Sequence, residues 1–399
     1  MENRGWREYK LEEVMTITSS KRIFYEEYVQ TGVPFYRSKE VIDLFNRRDI
    51  QTELFISEKK FDEIKNKFGV PSEDDILLTS VGSLGIPYLV TNSDKFYFKD
   101  GNLTWLKDID KNILHPIFIY IWITSQIGKQ KLEEISIGST QAALTISGLK
   151  SIEITLPPLP EQKAIASVLS SLDDKIDLLH QQNQTLEALG ESLFRQWFIE
   201  EAKEDWEEDT LDNILTVKGG TTPSTSESSY WNGTINWTSP RDITNLSGIY
   251  LFDTERKITE VGLSRISSGL LPKGTLLMTS RAPVGVLAFS EVPIAINQGY
   301  IAILDNKGYS KEFIYLWLKT NIDLVHSFSN GSTFMEISKS SFKSIQLLLP
   351  SKEIINEFDL IVKRYFEKIK ANSKQIQILS NLRDTLLPKL MSGEIRVKH

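Results

Sequence analysis

Apolar side chains recur every seven positions along residues 156–198, at Ile165, Leu172, Leu179, Leu186 and Leu193, with a second row at Leu169, Ile176 and Trp197. This is a heptad seam, and it predicts a long amphipathic helix. The proline-rich lead-in LPPLP sets its start, and no proline follows before Pro223. Asn183 and Gly190 interrupt the second row. At 1.5 Å rise per residue such a helix is about 55 Å long, more than most globular domains need, so it has the dimensions of a spacer.

The same pattern returns. Trp6 is followed by Leu11 and Trp206 by Leu211, an offset of 200. ILLTSVGSLG at 76–85 matches LLMTSRAPVG at 276–285, again at 200. Gly138-Ser139-Thr140 matches Gly331-Ser332-Thr333, and 150–157 matches 343–350, now at 193. Several motifs in one order at nearly one spacing indicate an internal repeat with a small deletion in the second copy. Adding 193 to the seam gives Phe358, Tyr365, Asn372, Leu379 and Leu386, with Val362, Ile369, Ile376, Arg383 and Leu390 as the second row. The chain therefore divides into a globular part at 1–156, a helix at 157–200, a second globular part at 201–350, and a helix with a tail at 351–399. Pro388 is expected to stop the second helix, which would make it the shorter of the two.

Two exposed seams need a cover. Pairing with each other is expected, antiparallel by the pseudo-twofold relation of the repeats, with Asn183 and Asn372 fixing register. The alternative is that each helix packs on its own globular part as a core helix. Within each repeat, short β-like runs at 75–80, 88–91, 275–279 and 295–304 alternate with helical windows at 116–134 and 311–328, an α+β pattern.

Composition leaves the class open but trims it. The chain has 399 residues, 25% of them charged, and a net charge of −7. The acidity is local: residues 157–205 hold 10 acidic and 4 basic side chains, whereas 351–399 hold 6 and 10. With no cysteine, disulfides and thiolate chemistry are excluded. The N-terminal decapeptide has no apolar leader and no apolar run of membrane-spanning length occurs, so a cytoplasmic, soluble protein is expected.

Catalytic signatures are missing. His115, His180, His326 and His399 have no metal-ligand spacing, no phosphate-cradling glycine motif is present, and no Asn-Pro-Pro-aromatic motif occurs. The carboxylate runs 73–75 and 173–174 read best as solvated surface. No metal or cofactor is expected in this chain. Binding chemistry is better represented. Candidate contacts in the first repeat are Arg37, Lys39, Ser80, Ser139 and Gln141. In the second they are Thr221, Thr222, Ser239, Arg241, Arg281, Asn297, Gln298, Ser332 and Thr333. Hydroxyls suit phosphates, Arg and Lys suit guanine edges, and Asn and Gln suit adenine. Phe35-Tyr36 and Trp231 with Trp237 could rest against sugars or bases.

The helix LPPLPEQKAIASVLSSLDDKIDLLHQQNQTLEALGESLFRQWF, the loop GGTTPSTSESSYWNGTINWTSPRDI at 219–243 and the C-terminal RDTLLPKLMSGEIRV resemble specificity subunits of Type I restriction-modification systems. The resemblance spans the chain. It implies two tandem target recognition domains, each reading half of a split asymmetric sequence in double-stranded DNA, separated by two long antiparallel coiled-coil helices. It further implies two modification subunits that methylate adenine with S-adenosylmethionine, and restriction subunits that use ATP and Mg. No membrane partner is implied. The first repeat departs from the pattern, having TITSSK at 16–21 in place of a Gly-Thr-Pro loop. The acidity of 157–205 suggests a helix facing basic modification subunits, with Glu187, Glu191 and Glu200 as contacts. A non-DNA scaffold, two interaction domains on a coiled-coil strut, is the competing class, and a self-sufficient methyltransferase or nuclease is a third.

Overall fold

The computed structural model describes residues 5–46, 48, 50, 52–138, 142–305, 307–331 and 335–397. They form two compact units, Met1–Asp174 with Ser380–His399, and Lys175–Leu379. Each unit thus takes a globular part together with segments of both long helices, so packing cuts across the linear division drawn above.

In the first unit, strand Arg7–Lys10 pairs antiparallel with Glu153–Leu156, joining the two ends of the globular part. A four-stranded antiparallel sheet runs in the order Thr16–Thr18, Leu103–Lys107, Ile76–Thr79, Pro87–Leu89. Ile76–Thr79 is buried along its whole length, with the apolar run Ile76–Leu78 covered on both faces and the Thr79 hydroxyl accepting the Ile86 amide at 2.9 Å. In a second sheet, Val33–Tyr36 lies parallel to Tyr97–Phe98. The second unit repeats the plan. Glu207–Thr210 pairs with Gln346–Leu349, Thr216–Lys218 and Leu276–Thr279 flank Tyr300–Asp305, and Trp231–Thr238 lies parallel to Ile294–Ile296. The internal repeat is therefore structural.

Two predicted elements divide. The run at 295–304 is two strands, because the Asn297 side chain accepts the Gly299 amide at 2.8 Å and turns the chain between them. The window at 116–134 is two helices, Pro116–Thr124 and Gln126–Glu134, since Ser125 leaves helical geometry and caps the second through the Gly128 amide. The window at 311–328 divides likewise at Asn321, into Lys311–Thr320 and Ile322–Ser327.

The long helices span Leu159–Arg195, continued by a π-turn at Gln196–Glu200, and Lys352–Met391. Pro388 does not stop the second, whose 40 residues compare with 37 in the first and five more in the π-turn that continues it. Leu390 and Met391 are buried in the first unit's core and hold the last turn in place despite the missing N–H. The helices run antiparallel within each unit. In the first, Arg383 pairs with Asp173 at 2.8 Å and Arg396 with Glu161 at 2.6 Å. In the second, Asn372 faces Asn183, Phe366 lies beside Gly190, and Phe358 packs on Phe194.

Ile165, Leu179 and Phe358 are buried, while Leu172, Leu186, Leu193, Tyr365, Leu379 and Leu386 are half-buried. Phe194 and Phe366 lie off the two heptad rows and are buried as well, because the sheet and the helix Lys311–Thr320 cover a third side of the pair. The helices are thus paired with each other and built into the cores.

The Asn183–Asn372 contact is a closed polar cluster. Asn372 Nδ2 donates to Asn183 Oδ1 at 3.0 Å, Asn183 Nδ2 donates to Ser373 Oγ at 3.3 Å, and the Ser373 hydroxyl donates to the Ile369 carbonyl. Asn372 Nδ2 also reaches Gln182 Oε1 at 3.4 Å, so each of these side-chain amide contacts crosses between the helices and a slipped register separates them together. Asn372→Leu alone is expected to cost about 1–3 kcal/mol by leaving the buried Asn183 side-chain oxygen without its donor. The double Leu variant should recover that loss or exceed wild type. Urea denaturation of the four-member cycle measures this, and equal losses that simply add would show no coupling.

Candidate nucleic-acid interface

The strand Val33–Tyr36 leads into the helix Ser38–Phe45, and Trp231–Thr238 leads into Pro240–Thr244. Both helices begin with an acid at the third position whose carboxylate accepts the capping residue's amide, Glu40 from Arg37 and Asp242 from Ser239, each at 2.8 Å. This fixes the equivalence of the repeats residue by residue: Lys39 corresponds to Arg241. Both are exposed, and neither makes an ion pair among the described residues.

The next loop follows the parallel strand. Lys99 donates its amide to the Tyr36 carbonyl at 2.9 Å, as Asn297 does to Thr238 at 3.1 Å. The Ser80 amide donates to Asn102 O and the Ser280 amide to Gly299 O, both at 2.8 Å. The loop 99–102 is thus one residue longer than 297–299. Against it lies the segment after the first sheet strand, 19–22 in one repeat and 219–222 in the other. Gly220 is required there, since a Cβ would sit 1.8 Å from Ile296 O. Across these loops Arg22 Nε donates to Asp100 Oδ2 at 2.8 Å, and the Thr222 hydroxyl donates to Gln298 Oε1 at 2.7 Å. The two pairs occupy matching places. Arg22, Lys99 and Asp100 were not among the sequence candidates, although the 200-residue offset applied to the GGTT loop leads to Arg22.

Several candidates serve the scaffold instead. Arg37 donates Nη2 and Nε to Glu40, which is fully buried. Burial pushes the Glu40 carboxyl up, but the hydrogen bonds from Arg37 outweigh it and leave it below the ordinary carboxylate range. Ser80 is buried against the Thr104 hydroxyl at 2.6 Å. The Ser239 hydroxyl donates to Asp242, Asn297 forms the turn already described, and the Thr221 hydroxyl donates to the Arg265 carbonyl. Arg281 pairs with Glu336 at 3.0 Å. The aromatics are core: Phe35, Trp231 and Trp237 are buried, and Tyr36 stacks on Phe96 at 4.3 Å. Ser139, Gln141, Ser332 and Thr333 lie outside the described residues.

Glu187 and Glu191 are also engaged within their own unit. Both hold Lys319, Glu191 at 2.7 Å, and Glu187 accepts the Tyr315 hydroxyl at 2.5 Å. Burial and the neighbouring Glu187 push the Tyr315 phenol well up. These carboxylates tie the long helix to Lys311–Thr320, so neutralising them would loosen the unit itself and cannot report docking. Glu200 is exposed.

The depressed Glu40 carboxyl has a pH consequence. Its contribution to stability is fully present above the unfolded value of 4.5 and is lost as pH falls through the lower folded value. Glu40→Gln is expected to cost about 1–2 kcal/mol at neutral pH, at the low end for a charged hydrogen bond because Arg37 keeps some water. It should also flatten the first unit's acid limb, as thermal melts from pH 7 to 3 would show. A parallel offset at every pH would contradict the assignment.

The sequence matches the family model for the Type I restriction modification DNA specificity domain twice, over residues 3–188 and 203–386. The chain belongs to that family. Among similar proteins is the Type I restriction enzyme MjaIX specificity subunit of Methanocaldococcus jannaschii, 34% identical over 48% of this chain and 45% of the relative. The HindI specificity subunit of Haemophilus influenzae is 23% identical over 98% of this chain and 99% of its own length. The crystal structure of a Type I restriction-modification S subunit from M. genitalium has the same fold, with a TM-score of 0.61 at 21% identity over 97% of this chain and 96% of that one. Specificity subunits of this family recognise DNA sequence and are non-catalytic. Among the described residues no helix is long and apolar enough to cross a membrane.

Proposed function

We propose that this chain reads a bipartite, asymmetric DNA sequence, one half per repeat, and directs an adenine methyltransferase and a motor-nuclease to it. One observation supports this above the rest: equivalent loops in the two repeats carry different side chains at matching places, Arg22 and Asp100 against Thr222 and Gln298. Two copies of one reading surface with unlike chemistry suit two unlike half-sites. Lys39 and Arg241 beside them suit phosphates, which position the protein without selecting sequence.

In this reading the paired helices set the distance between half-sites and receive two modification subunits. S-adenosylmethionine, ATP and Mg belong to the partner subunits, and the complex works on double-stranded DNA in the cytoplasm. Mobility shifts of the full chain with its modification subunit test the proposal. A shift that depends on duplex sequence is expected. Binding indifferent to sequence, or none, would favour the scaffold with two interaction domains.

A further inference from the structure

The matched side-chain pairs carry more than asymmetry. We propose that Arg22 reads a guanine in one half-site and Gln298 an adenine in the other, each oriented by its partner across the loops. This rests on the DNA-reading function proposed above and adds to it which residues choose which bases.

The chemistry follows from what each partner leaves free. Asp100 holds Arg22 through Nε alone, and the Arg22 side chain is 69% exposed whereas that of Asp100 is 20% exposed. The guanidinium plane is therefore anchored at one edge, and its two terminal nitrogens take no hydrogen-bond partner among the described residues. Two parallel N–H donors in a fixed plane match O6 and N7 of guanine. In the other repeat the Thr222 hydroxyl donates to Gln298 Oε1, which fixes the orientation of the amide. It leaves the Nε2 donors and one oxygen lone pair outward, the combination that matches N7 and N6 of adenine.

Both pairs stand on pinned backbone. The Lys99 and Asn297 amides are held by the preceding parallel strand, and the Thr221 amide donates to Ile296 O at 3.1 Å. Anchored loops and preset side chains lower the ordering cost of recognition. Two arginines among the sequence candidates are committed elsewhere, Arg37 to buried Glu40 and Arg281 to Glu336.

The test is selection from a random duplex library by the full chain with its modification subunit, with sequencing of what is retained. Wild type is expected to recover one two-part sequence. Arg22→Gln and Arg22→Lys should each lose about tenfold preference for a single guanine in one half and leave the other half unchanged. Arg22→Lys keeps the charge, so its salt dependence should stay that of wild type. Gln298→Ala should relax one adenine in the opposite half. Thermal melts matching wild type show that the variants fold. If Arg22→Gln weakens all sequences equally, or if the recovered sequences are unchanged, the base assignment is overturned while DNA reading stands. If wild type recovers no sequence, the DNA-reading function fails and this inference with it.

Discussion

Inserting one heptad between Asp174 and Lys175 and another between Leu379 and Ser380 is expected to lengthen the spacer between half-sites while leaving both half-sites intact. Seven residues add about 10.5 Å of helix and change the facing by only about 20°. With base pairs about 3.4 Å apart, the tolerated spacer should grow by at most about three base pairs. The insertion points lie at the borders of the two compact units, so neither core is cut. Methylation mapping with the modification partner reads the result. Changed half-site bases with an unchanged spacer would sink the ruler reading. A heptad in one helix alone should instead break the pairing, because the Arg383–Asp173 and Asn183–Asn372 contacts could no longer form together.

Phe358→Ala should have the largest effect on stability, about 3–5 kcal/mol. Phe358 is fully buried, with ring centroids 4.8 Å from Phe198 and 5.9 Å from both Phe194 and Trp197. It serves the helix pair and the core of the second unit at once, since it also packs on Phe313 of Lys311–Thr320. Hydrogen exchange should therefore show the sheet strand Leu276–Thr279 losing protection together with the helix. Loss confined to the helix pair would mean that the seam and the core are energetically separate.

The helices and the repeat were legible in the sequence because periodicity is a property of many positions at once. Their antiparallel pairing followed from repeat symmetry, and the Asn183–Asn372 contact was visible as two polar residues on seams offset by nearly the repeat length. Pro388 misled because a local rule about a missing N–H ignores the burial of Leu390 and Met391 just beyond it. Phe194 and Phe366 escaped a two-row heptad reading because a globular part covers a third helix face.

The candidate site was legible by region and less so by residue. Residue type pointed to the segments 37–39, 221–222, 239–241 and 297–298. It could not show that Arg37 would be taken by an acid three residues on, that Ser80 would lie beneath the surface, or that Asn297 would use its oxygen on its own turn. Those outcomes depend on partners brought close by folding. Arg22 and Asp100 were hidden for the converse reason. The motif of the second repeat is absent from the first, so although the 200-residue offset leads from Thr222 to Arg22, no shared residue type marks the place.

The central claim is that two repeats read two different half-sites at a fixed separation. Mapping methylated adenines in a host that carries this chain with its modification subunit tests it most directly. A single two-part asymmetric sequence with a constant spacer is predicted, and Arg22→Lys and Gln298→Ala should each alter a different half. Methylation without sequence dependence, or at one continuous site altered by both variants, would contradict it.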